Sequence, residues 1–204
     1  VVTSLGVFVK PANSSEALKG TVFLQKEITG LAEDNSGRMW ISTQHNGVFC
    51  LTLSDDSQIR KENILNLNVA SGRLISDNIE DLCTDAKGRV WMGSQEGYVF
   101  LYNQKTKTVE DYSDVFPTLT EGVQNIMMDD NTGHLWISTN KKIIEYDPET
   151  GGQISYQAGQ DLAVNSFSKN SCFKSPAGEM FYGGNRGIAV LVPYKQLVDK
   201  PKKI

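Results

Sequence analysis

Four copies of one short motif constrain the fold of this chain more than any other feature of its sequence. The glycines that open the copies stand at positions 37, 88, 133 and 178, and the copies read "GRMWIST", "GRVWMGS", "GHLWIST" and "GEMFYGG". Their spacing falls near the roughly 40–50 residues of a four-stranded propeller blade, about twice that of short β-solenoid repeats. Because the copies are rich in Val, Ile, Trp and Thr, helical repeats are disfavoured. The sequence predicts an all-β chain, a β-propeller segment of four-stranded antiparallel blades.

Each copy can be read as four strands. In the first, the apolar segment "ITGLAE" (28–33) precedes a turn "DNSG", a strand "RMWIS", a third strand "GVFCL" (47–51) and a more polar fourth strand "SQIRK" (57–61). The turn aspartate can accept hydrogen bonds from backbone amides ahead of it, and the glycine supplies a positive φ. The structural turn residues predicted on this basis are Asp34, Gly37, Asp85, Gly88, Asp129, Gly133 and Gly178.

The division into blades leaves both ends incomplete. Residues 6–10 and 21–25 match a third and a fourth strand, so the chain is predicted to begin halfway through a blade, and the last copy has no convincing fourth strand. We therefore expect an incomplete ring of about four to five blades, an arc of a larger propeller or one completed by a second copy. The predicted ranges are a half blade at 1–27, whole blades at 28–62, 78–113 and 123–157, a three-stranded blade at 165–193 and an exit linker at 194–204 toward a following domain.

A large side chain recurs at one place in every copy. Trp40, Trp91 and Trp136 occupy it in three copies, and Phe181 in the last. A buried indole removes on the order of 200 Å² from water, so these residues are predicted to form the core between neighbouring blades. Use of the tryptophans as a sugar-stacking platform is disfavoured, because a ligand platform would not recur in every blade.

Composition excludes several classes of protein. The 204 residues carry 20 basic and 24 acidic side chains, a net charge of −4, without the basic excess typical of nucleic-acid binding. No apolar run approaches the roughly 18–20 residues of a membrane span, so no direct membrane contact is expected. The first residues lack the features of a signal peptide, and without a starting Met the chain is interpreted as a piece of something longer. The three cysteines are expected to be apolar strand residues rather than disulfide partners.

The repeat resembles a known family. The pattern I/V-x-x-I/L-x-x-D-x-x-G-x-x-W-I/M-G/S-T/S, followed by G-V/L and Tyr, is similar to the two-component regulator propeller repeat, closely in 28–62 and 79–112. Blade 123–157 departs by one extra turn residue, and blade 165–193 departs more, with Phe181 in place of Trp. Its "FYGGNRGIAVLVP" resembles the version that precedes an immunoglobulin-like domain.

What this resemblance implies is a sensor. In that family the repeats form the periplasmic sensor half of hybrid two-component systems, whose kinase, receiver and DNA-binding parts lie beyond a membrane helix, and many respond to oligosaccharides in gut Bacteroidetes. The chain would then be a non-catalytic extracytoplasmic segment without a cofactor. Its partners would be an oligosaccharide, further propeller blades and an immunoglobulin-like domain of the parent chain, with a homodimer as a further option. The motif is structural, so it specifies fold better than ligand.

Loops that vary between copies supply the candidate binding residues. In a four-stranded blade, the second-to-third and fourth-to-first loops emerge on one face of the disc, and the D-x-x-G turns emerge on the other. This variable face is polar and suits the hydroxyls or carboxylates of a glycan, while Phe116 and Leu119 in one of its loops are expected to be partly exposed. The residues assigned to ligand binding are His45, Asn46, Arg73, Gln95, Glu96, Asn140, Lys141, Asn185 and Arg186.

A catalytic function finds little support in the sequence. The two histidines, His45 in a variable loop and His134 beside a D-x-x-G turn, are predicted to lie on opposite faces, too far apart to share a site. No G-x-S-x-G occurs, and the turns lack the alternating carboxylates of a calcium loop, so no metal site is predicted. The alternatives are a propeller lyase or glycosidase that uses His45 or Glu96, and a pure dimerisation scaffold.

Overall fold

The fold is all-β, as the sequence predicts. A computed structural model of the chain describes residues 2–3, 6–7, 27–52, 64–117 and 119–193. Within these ranges every regular element is a strand except one 3₁₀ turn at Ser113–Val115, and no helix there has the length and apolar character that a membrane span requires. The predicted segments that lie outside the described residues are 8–10, 21–25, 57–61 and 194–204.

Four larger sheets follow one another along the chain, after a pair of short strands. Each larger sheet is antiparallel with its strands in sequence order, so consecutive strands are neighbours. The short pair consists of β1 (Val2–Thr3) and β2 (Gly6–Val7). Sheet 1 consists of β3 (Ile28–Glu33), β4 (Met39–Thr43), β5 (Val48–Leu51) and β6 (Ile64–Leu67), and sheet 2 consists of β7 (Ile79–Thr84), β8 (Val90–Ser94), β9 (Val99–Asn103) and β10 (Thr108–Asp111). Sheet 3 consists of β11 (Asn125–Asp129), β12 (His134–Ser138), β13 (Lys142–Tyr146) and β14 (Gln153–Gln157), and sheet 4 consists of β15 (Phe167–Lys174), β16 (Met180–Gly184) and β17 (Gly187–Leu191).

The four sheets stand side by side in chain order, which is the arrangement of propeller blades. Their first strands are neighbours, β3 against β7, β7 against β11, and β11 against β15. No comparable contact joins sheet 4 back to sheet 1 among the described residues, so this part of the chain is an arc. The predicted propeller segment is confirmed.

The outermost strand of sheet 1 lies later in the chain than predicted. The sequence predicts this strand at 57–61 and the end of the blade at residue 62, but β6 pairs with β5 and runs to residue 67. Leu67 is fully buried, and Leu65 packs on the core between sheets 1 and 2. The later segment carries three aliphatic side chains where 57–61 has only Ile59, so it buries more apolar surface. The predicted boundary at residue 62 is therefore wrong.

Side chains alternate between the two faces of every sheet. We call the face that looks toward the next sheet in the chain the forward face, and the opposite one the backward face. Trp40, Trp91 and Trp136 lie on forward faces, are 0%, 0% and 1% exposed, and pack in clusters with the backward face of the following sheet. They form the core between blades, and their burial leaves no ring face for a sugar.

A tight turn that ends in glycine joins the first two strands of each sheet, with an aspartate at its start in sheets 1 to 3 and Ser175 in sheet 4. In sheet 1, Asp34 Oδ1 accepts hydrogen bonds from the backbone N–H groups of Ser36 and Arg38, at 2.8 and 3.1 Å. Gly37 has a φ of 72°, a left-handed conformation that glycine adopts without strain. The corresponding glycines Gly88, Gly133 and Gly178 have φ values of 74°, 74° and 85°.

The crossing between sheets 2 and 3 is more buried than predicted. Phe116 and Leu119 are each 2% exposed, so the expectation of partial exposure is wrong. The Phe116 ring meets Tyr146 edge-on, with centroids 5.0 Å apart, and both belong to the cluster that surrounds Trp91. The two loop residues therefore fill part of the core between sheets 2 and 3, where burial of an aromatic ring removes a large apolar area from water.

Candidate functional site

On the variable face, loops from sheets 1 and 2 meet in one hydrogen-bonded group. His45 lies in the β4–β5 loop, Glu96 in the β8–β9 loop, and Asn78 at the end of the crossing between the two sheets. His45 Nδ1 is 2.9 Å from Asn78 Oδ1, and Asn78 Nδ2 donates to Glu96 Oε1 at 2.7 Å. Ser76 Oγ donates to Glu96 Oε2, also at 2.7 Å. The structure thus brings two predicted residues into one group that spans a boundary between sheets.

The carboxylate of Glu96 is the fixed charge of this group. Partial burial raises the pKa of Glu96, but hydrogen bonds from Ser76 and Asn78 outweigh burial and hold that pKa below its usual range. Each carboxylate oxygen takes one of these bonds and can accept a second. Since the side chain is exposed, it retains acceptor capacity for a hydroxyl or ammonium group of a ligand.

The remaining predicted residues of this group are on the same loops. His45 is 65% exposed, and its Nε2 lies 4.0 Å from Glu27 Oε2. Asn46 follows it in the β4–β5 loop and is half-buried, while Gln95 is exposed and its backbone N–H donates to Asn78 O at 2.9 Å. These contacts fix the loop backbones and leave the His45 and Gln95 side chains facing solvent.

Arg73 does not join the group. It belongs to the crossing between sheets 1 and 2, but its Nη1 donates to Lys107 O at 3.3 Å. Lys107 lies in the β9–β10 turn, which is on the face opposite to the variable loops. The guanidinium therefore reaches toward the turn face, away from Glu96.

A second set of predicted residues lies on sheets 3 and 4. Asn140 and Lys141 precede β13, while Asn185 and Arg186 form the β16–β17 loop, and all four are exposed. The Asn140 carbonyl accepts a hydrogen bond from Phe167 N at 2.9 Å, which ties the two sheets together. Arg186 has a φ of 74°, unusual for a residue with a side chain. These residues are separated in chain and sheet from His45 and Glu96.

Two residues of the first group escaped sequence reasoning. Ser76 and Asn78 lie in a loop that the sequence places on the variable face, but they are not among the residues predicted to bind ligand. Their signal was the run "SDN" before an apolar strand, because Ser and Asn there commonly bond to nearby backbone. Asn78 N does donate to Ser76 Oγ, at 3.0 Å. The pattern could have identified the turn, but not the partner Glu96, which is on another loop.

His134 lies at the opposite end of the strands from His45. It opens β12, and its Nδ1 is 2.8 Å from Glu145 Oε1, while Tyr156 Oη donates to Glu145 Oε2 at 3.1 Å. Burial and the Glu145 charge raise the pKa of Tyr156 to about 12, so the phenol keeps its proton. The two histidines are on different faces and do not share a site. In the described ranges, no group of three or more His, Cys, Asp or Glu side chains is placed to hold a metal ion.

Two stretches of the chain match a known family. Residues 23–45 and 73–96 match the family described as two component regulator propeller. They correspond to the first two strands of sheets 1 and 2, with the residues just before them. The resemblance predicted from the sequence is confirmed for these two repeats. A comparison with curated protein sequences gave no match.

Solved structures with a similar fold include two extracellular domains of Bacteroides thetaiotaomicron proteins that are described as hybrid two component systems. One is 23% identical with a TM-score of 0.75, covering 95% of this chain and 26% of that one. The other is 16% identical with a TM-score of 0.68, covering 92% and 24%. Virginiamycin B lyase from Staphylococcus aureus is 14% identical with a TM-score of 0.52, covering 85% and 58%. These likenesses establish the propeller fold alone, and the chain spans about a quarter of each extracellular domain.

Proposed function

We propose that this chain is a non-catalytic ligand-recognition segment in the extracytoplasmic, periplasmic sensor of a hybrid two-component system. The proposal rests on a difference between the recurring and the varying positions of the repeat. The aromatic and turn residues that recur are buried between sheets or hold turns, whereas the loop residues that differ from copy to copy gather on one face. The family match of two repeats and the fold shared with two extracellular sensor domains support the same conclusion.

An oligosaccharide is the ligand class that this face suits best. His45, Asn78 and Glu96 offer imidazole, amide and carboxylate groups, which can donate to and accept from sugar hydroxyls. Their positions are set in advance by hydrogen bonds to one another. A site that is ordered before binding loses less conformational entropy when the ligand arrives.

Signalling would consist of a change in the relative position of two sheets. The group joins a loop of sheet 1 to a loop of sheet 2 through Asn78, so a ligand bound there contacts both sheets. A ligand shifts a conformational equilibrium only by its difference in affinity for the two states. The distance between His45 and Glu96 depends on how the sheets are placed, which provides such a difference. The resulting shift would pass to the domains that follow in the parent chain.

A panel of oligosaccharides measured by titration calorimetry tests this proposal. The variants are Glu96→Gln, which removes the fixed charge of the group, and Glu110→Gln, the same change at an exposed residue of β10. We expect at least one glycan to bind, and Glu96→Gln to weaken it about tenfold or more, because hydrogen bonds to a charged group are worth about 1.5–3 kcal/mol. Glu110→Gln should leave the affinity unchanged.

Two results would contradict the proposal. If no glycan bound to the folded chain while the complete sensor bound one, this segment would not be the ligand-recognition part. If a glycan bound and were turned over, the chain would be an enzyme, and loss of turnover in His45→Ala would locate its site on the same face.

A further inference from the structure

A small cavity lies on the turn face, at the boundary between sheets 2 and 3. Its volume is about 80 Å³, more than the roughly 30 Å³ that one molecule of liquid water occupies. Its wall includes Asp85 and Arg89 of sheet 2, and Met128, Gly133 and Pro148 of sheet 3. The cavity therefore has an acceptor and a donor on one side and mostly apolar atoms on the other, which is the usual composition of a site for a small ligand.

The same place at the boundary between sheets 1 and 2 holds a carboxamide of the chain itself. Gln104, in the β9–β10 turn, donates from Nε2 to Asp34 Oδ2 at 2.9 Å, and its Oε1 accepts a bond from Arg38 Nη2. Arg38 Nε donates to the same Asp34 oxygen, so the carboxamide contacts both members of an ion pair. A primary amide suits this contact because one of its two N–H groups lies on the same side as its carbonyl oxygen.

The boundary between sheets 2 and 3 has the same ion pair but no carboxamide. Arg89 Nε donates to Asp85 Oδ2 at 2.7 Å, and the Asp85 side chain is 6% exposed. The Arg89 guanidinium lies 5.8 Å from the centroid of the Trp91 ring, the same distance as in the equivalent pair of sheet 1. The position of Gln104 is taken by Pro148, whose side chain has no donor or acceptor. The cavity at Pro148 thus presents the ion pair that a carboxamide contacts at the first boundary.

Polar groups around this cavity lack the partners that their counterparts have. Among the described residues, the indole N–H of Trp91 has no acceptor although the side chain is 0% exposed, and the two terminal nitrogens of Arg89 make no hydrogen bond. Asp85 Oδ2 accepts one bond, from Arg89 Nε, whereas Asp34 Oδ2 accepts three. Buried polar groups without a partner are rare in folded proteins, and a bound molecule is one explanation for them.

We propose that this cavity is a binding site for a primary carboxamide group. The amide nitrogen of the ligand donates to Asp85 Oδ2, and its carbonyl oxygen accepts from a terminal nitrogen of Arg89, as the carboxamide of Gln104 does at the first boundary. The charged side chains around the cavity, two positive and three negative, come near to balance, so a neutral polar group fits. The group can belong to a small amide in solution or to a Gln or Asn side chain of a protein. Since the cavity lies on the face opposite to the variable loops, the proposal does not depend on the ligand proposed for those loops.

Related chemical groups fit the ion pair less well. A carboxylate has acceptors but no donor, so it would bond to Arg89 and be repelled by Asp85. A secondary amide in its usual trans form has its N–H and its carbonyl oxygen on opposite sides of the C–N bond. It can therefore contact Asp85 or Arg89, but not both at once.

An NMR titration of the 204-residue chain with propionamide tests the proposal. The indole N–H signal of Trp91 reports on the site, because the Arg89 guanidinium lies over this ring. We expect a saturable shift of this signal with a Kd in the millimolar range, since so small a ligand gains little binding free energy. Propionate, which has the same size, and N-methylpropionamide should each bind about tenfold or more weakly, because each leaves one member of the ion pair without a bond.

Two positions in the chain provide matched variants. Pro148→Gln supplies the carboxamide that Gln104 supplies at the first boundary, so it should lose the response to propionamide. Pro148→Ala also removes the proline ring but adds no carboxamide, so it should keep the response. Gln104→Ala should gain a second propionamide response, at the indole N–H of Trp40. Equal midpoints of thermal unfolding for the two Pro148 variants, or a higher one for Pro148→Gln, would show that the loss is not caused by unfolding.

A blocked glutamine, N-acetylglutamine N-methylamide, separates the two sources of the group. Tighter binding of the blocked glutamine would assign the site to a protein side chain, and tighter binding of propionamide would assign it to a small amide. The proposal would be overturned if neither compound gave a saturable shift, or if the shift persisted in Pro148→Gln. Equal binding of propionate and propionamide would also overturn it, because the arginine alone would then account for the binding.

Discussion

The boundary between sheets 1 and 2 and the boundary between sheets 2 and 3 are built from the same repeat but differ in their hydrogen bonds. At the first, the indole N–H of Trp40 donates to Asp34 Oδ2 at 2.7 Å. The same oxygen accepts Arg38 Nε and Gln104 Nε2, each at 2.9 Å, and Arg38 also bonds to the Gln104 carbonyl. Gln104 comes from sheet 2, so a side chain of the following sheet closes the network of the preceding one.

The second boundary has fewer hydrogen bonds at the equivalent positions. Asp85 Oδ2 accepts a hydrogen bond from Arg89 Nε at 2.7 Å, but the buried indole N–H of Trp91 has no hydrogen-bond partner among the described residues. Gln104 stands two residues after Tyr102 of the third strand, and the same position after Tyr146 in sheet 3 is held by Pro148, which has no donor. The repeat therefore fixes the tryptophan and the turn aspartate, while Gln104, a residue outside the motif, gives Asp34 a hydrogen bond that Pro148 cannot give to Asp85.

The hydrogen bonds between the first strands of neighbouring sheets also differ at the two boundaries. At the first, Thr29 Oγ1 donates to Ile79 O at 2.5 Å, a bond between neutral groups. At the second, Asp81 Oδ2 accepts Ile126 N at 2.9 Å. Burial raises the pKa of Asp81 to about 7, although the N–H groups of Ile126 and Leu82 act against this shift. The second boundary thus contains a carboxyl group that is sensitive to pH near neutrality.

Removal of the two turn aspartates should show the largest difference between the boundaries. Asp34→Ala leaves the Trp40, Gln104 and Arg38 donors without their acceptor, so we expect the free energy of unfolding to fall by about 3–4 kcal/mol. Asp85→Ala leaves only Arg89 and the turn amides without an acceptor, so we expect the free energy of unfolding to fall by about 2 kcal/mol. Urea unfolding of both variants measures this. Equal losses, or a larger loss for Asp85→Ala, would show that the bonds from Trp40 and Gln104 to Asp34 add nothing to the first boundary.

The pH dependence of stability should identify the second boundary. With its raised pKa, Asp81 keeps a proton in the folded state from about pH 4 to pH 7, where the unfolded chain has lost it. Folding is therefore favoured at low pH in this window, and the contribution is lost as the pH rises through 7. We expect the free energy of unfolding to fall by about 2 kcal/mol from pH 5 to pH 8 because of this group.

The chain itself offers the variant that tests this dependence. Sheet 3 has Asn125 at the position of Asp81, where its amide bonds across the next boundary, to Ser168 O at 3.0 Å. Asp81→Asn keeps an acceptor for Ile126 N and cannot titrate, so its stability should be nearly constant over the same range in urea unfolding. Asp114→Asn, the same change at an exposed residue, should keep the wild-type slope. A slope that survives Asp81→Asn would assign the dependence to other groups.

The sequence predicts most of what each sheet does by itself and little of what joins the sheets. The turn at Asp34 was predictable because local bonding of an aspartate needs only neighbouring residues, and the burial of Trp40 was predictable because a large side chain recurs at the same place in every copy. The position of β6 was not, since two segments could pair with β5 and the choice depends on burial of Leu67 against sheet 2. The burial of Phe116 also depends on a neighbouring sheet, because its ring packs against Tyr146 of sheet 3.

The candidate site divides in the same way. The loops that carry His45 and Glu96 could be assigned to one face from strand order. Their connection through Asn78 could not, because it depends on the course of the crossing between sheets 1 and 2. The sequence predicts Arg73, in that crossing, on the same face, and only the structure shows that it reaches toward Lys107 on the other side.

Single changes at the two equivalent turn positions should give the smallest effects and the most direct comparison. Gln104→Ala removes one hydrogen bond to Asp34 and one to Arg38 without emptying a core position, so we expect a loss of about 1 kcal/mol in the free energy of unfolding. Pro148→Ala removes no bond to Asp85 and should change stability by less than about 0.5 kcal/mol. Parallel urea unfolding of the two variants measures the difference. A loss for Pro148→Ala as large as that for Gln104→Ala would mean that turn rigidity, and not the bond to the aspartate, distinguishes the boundaries.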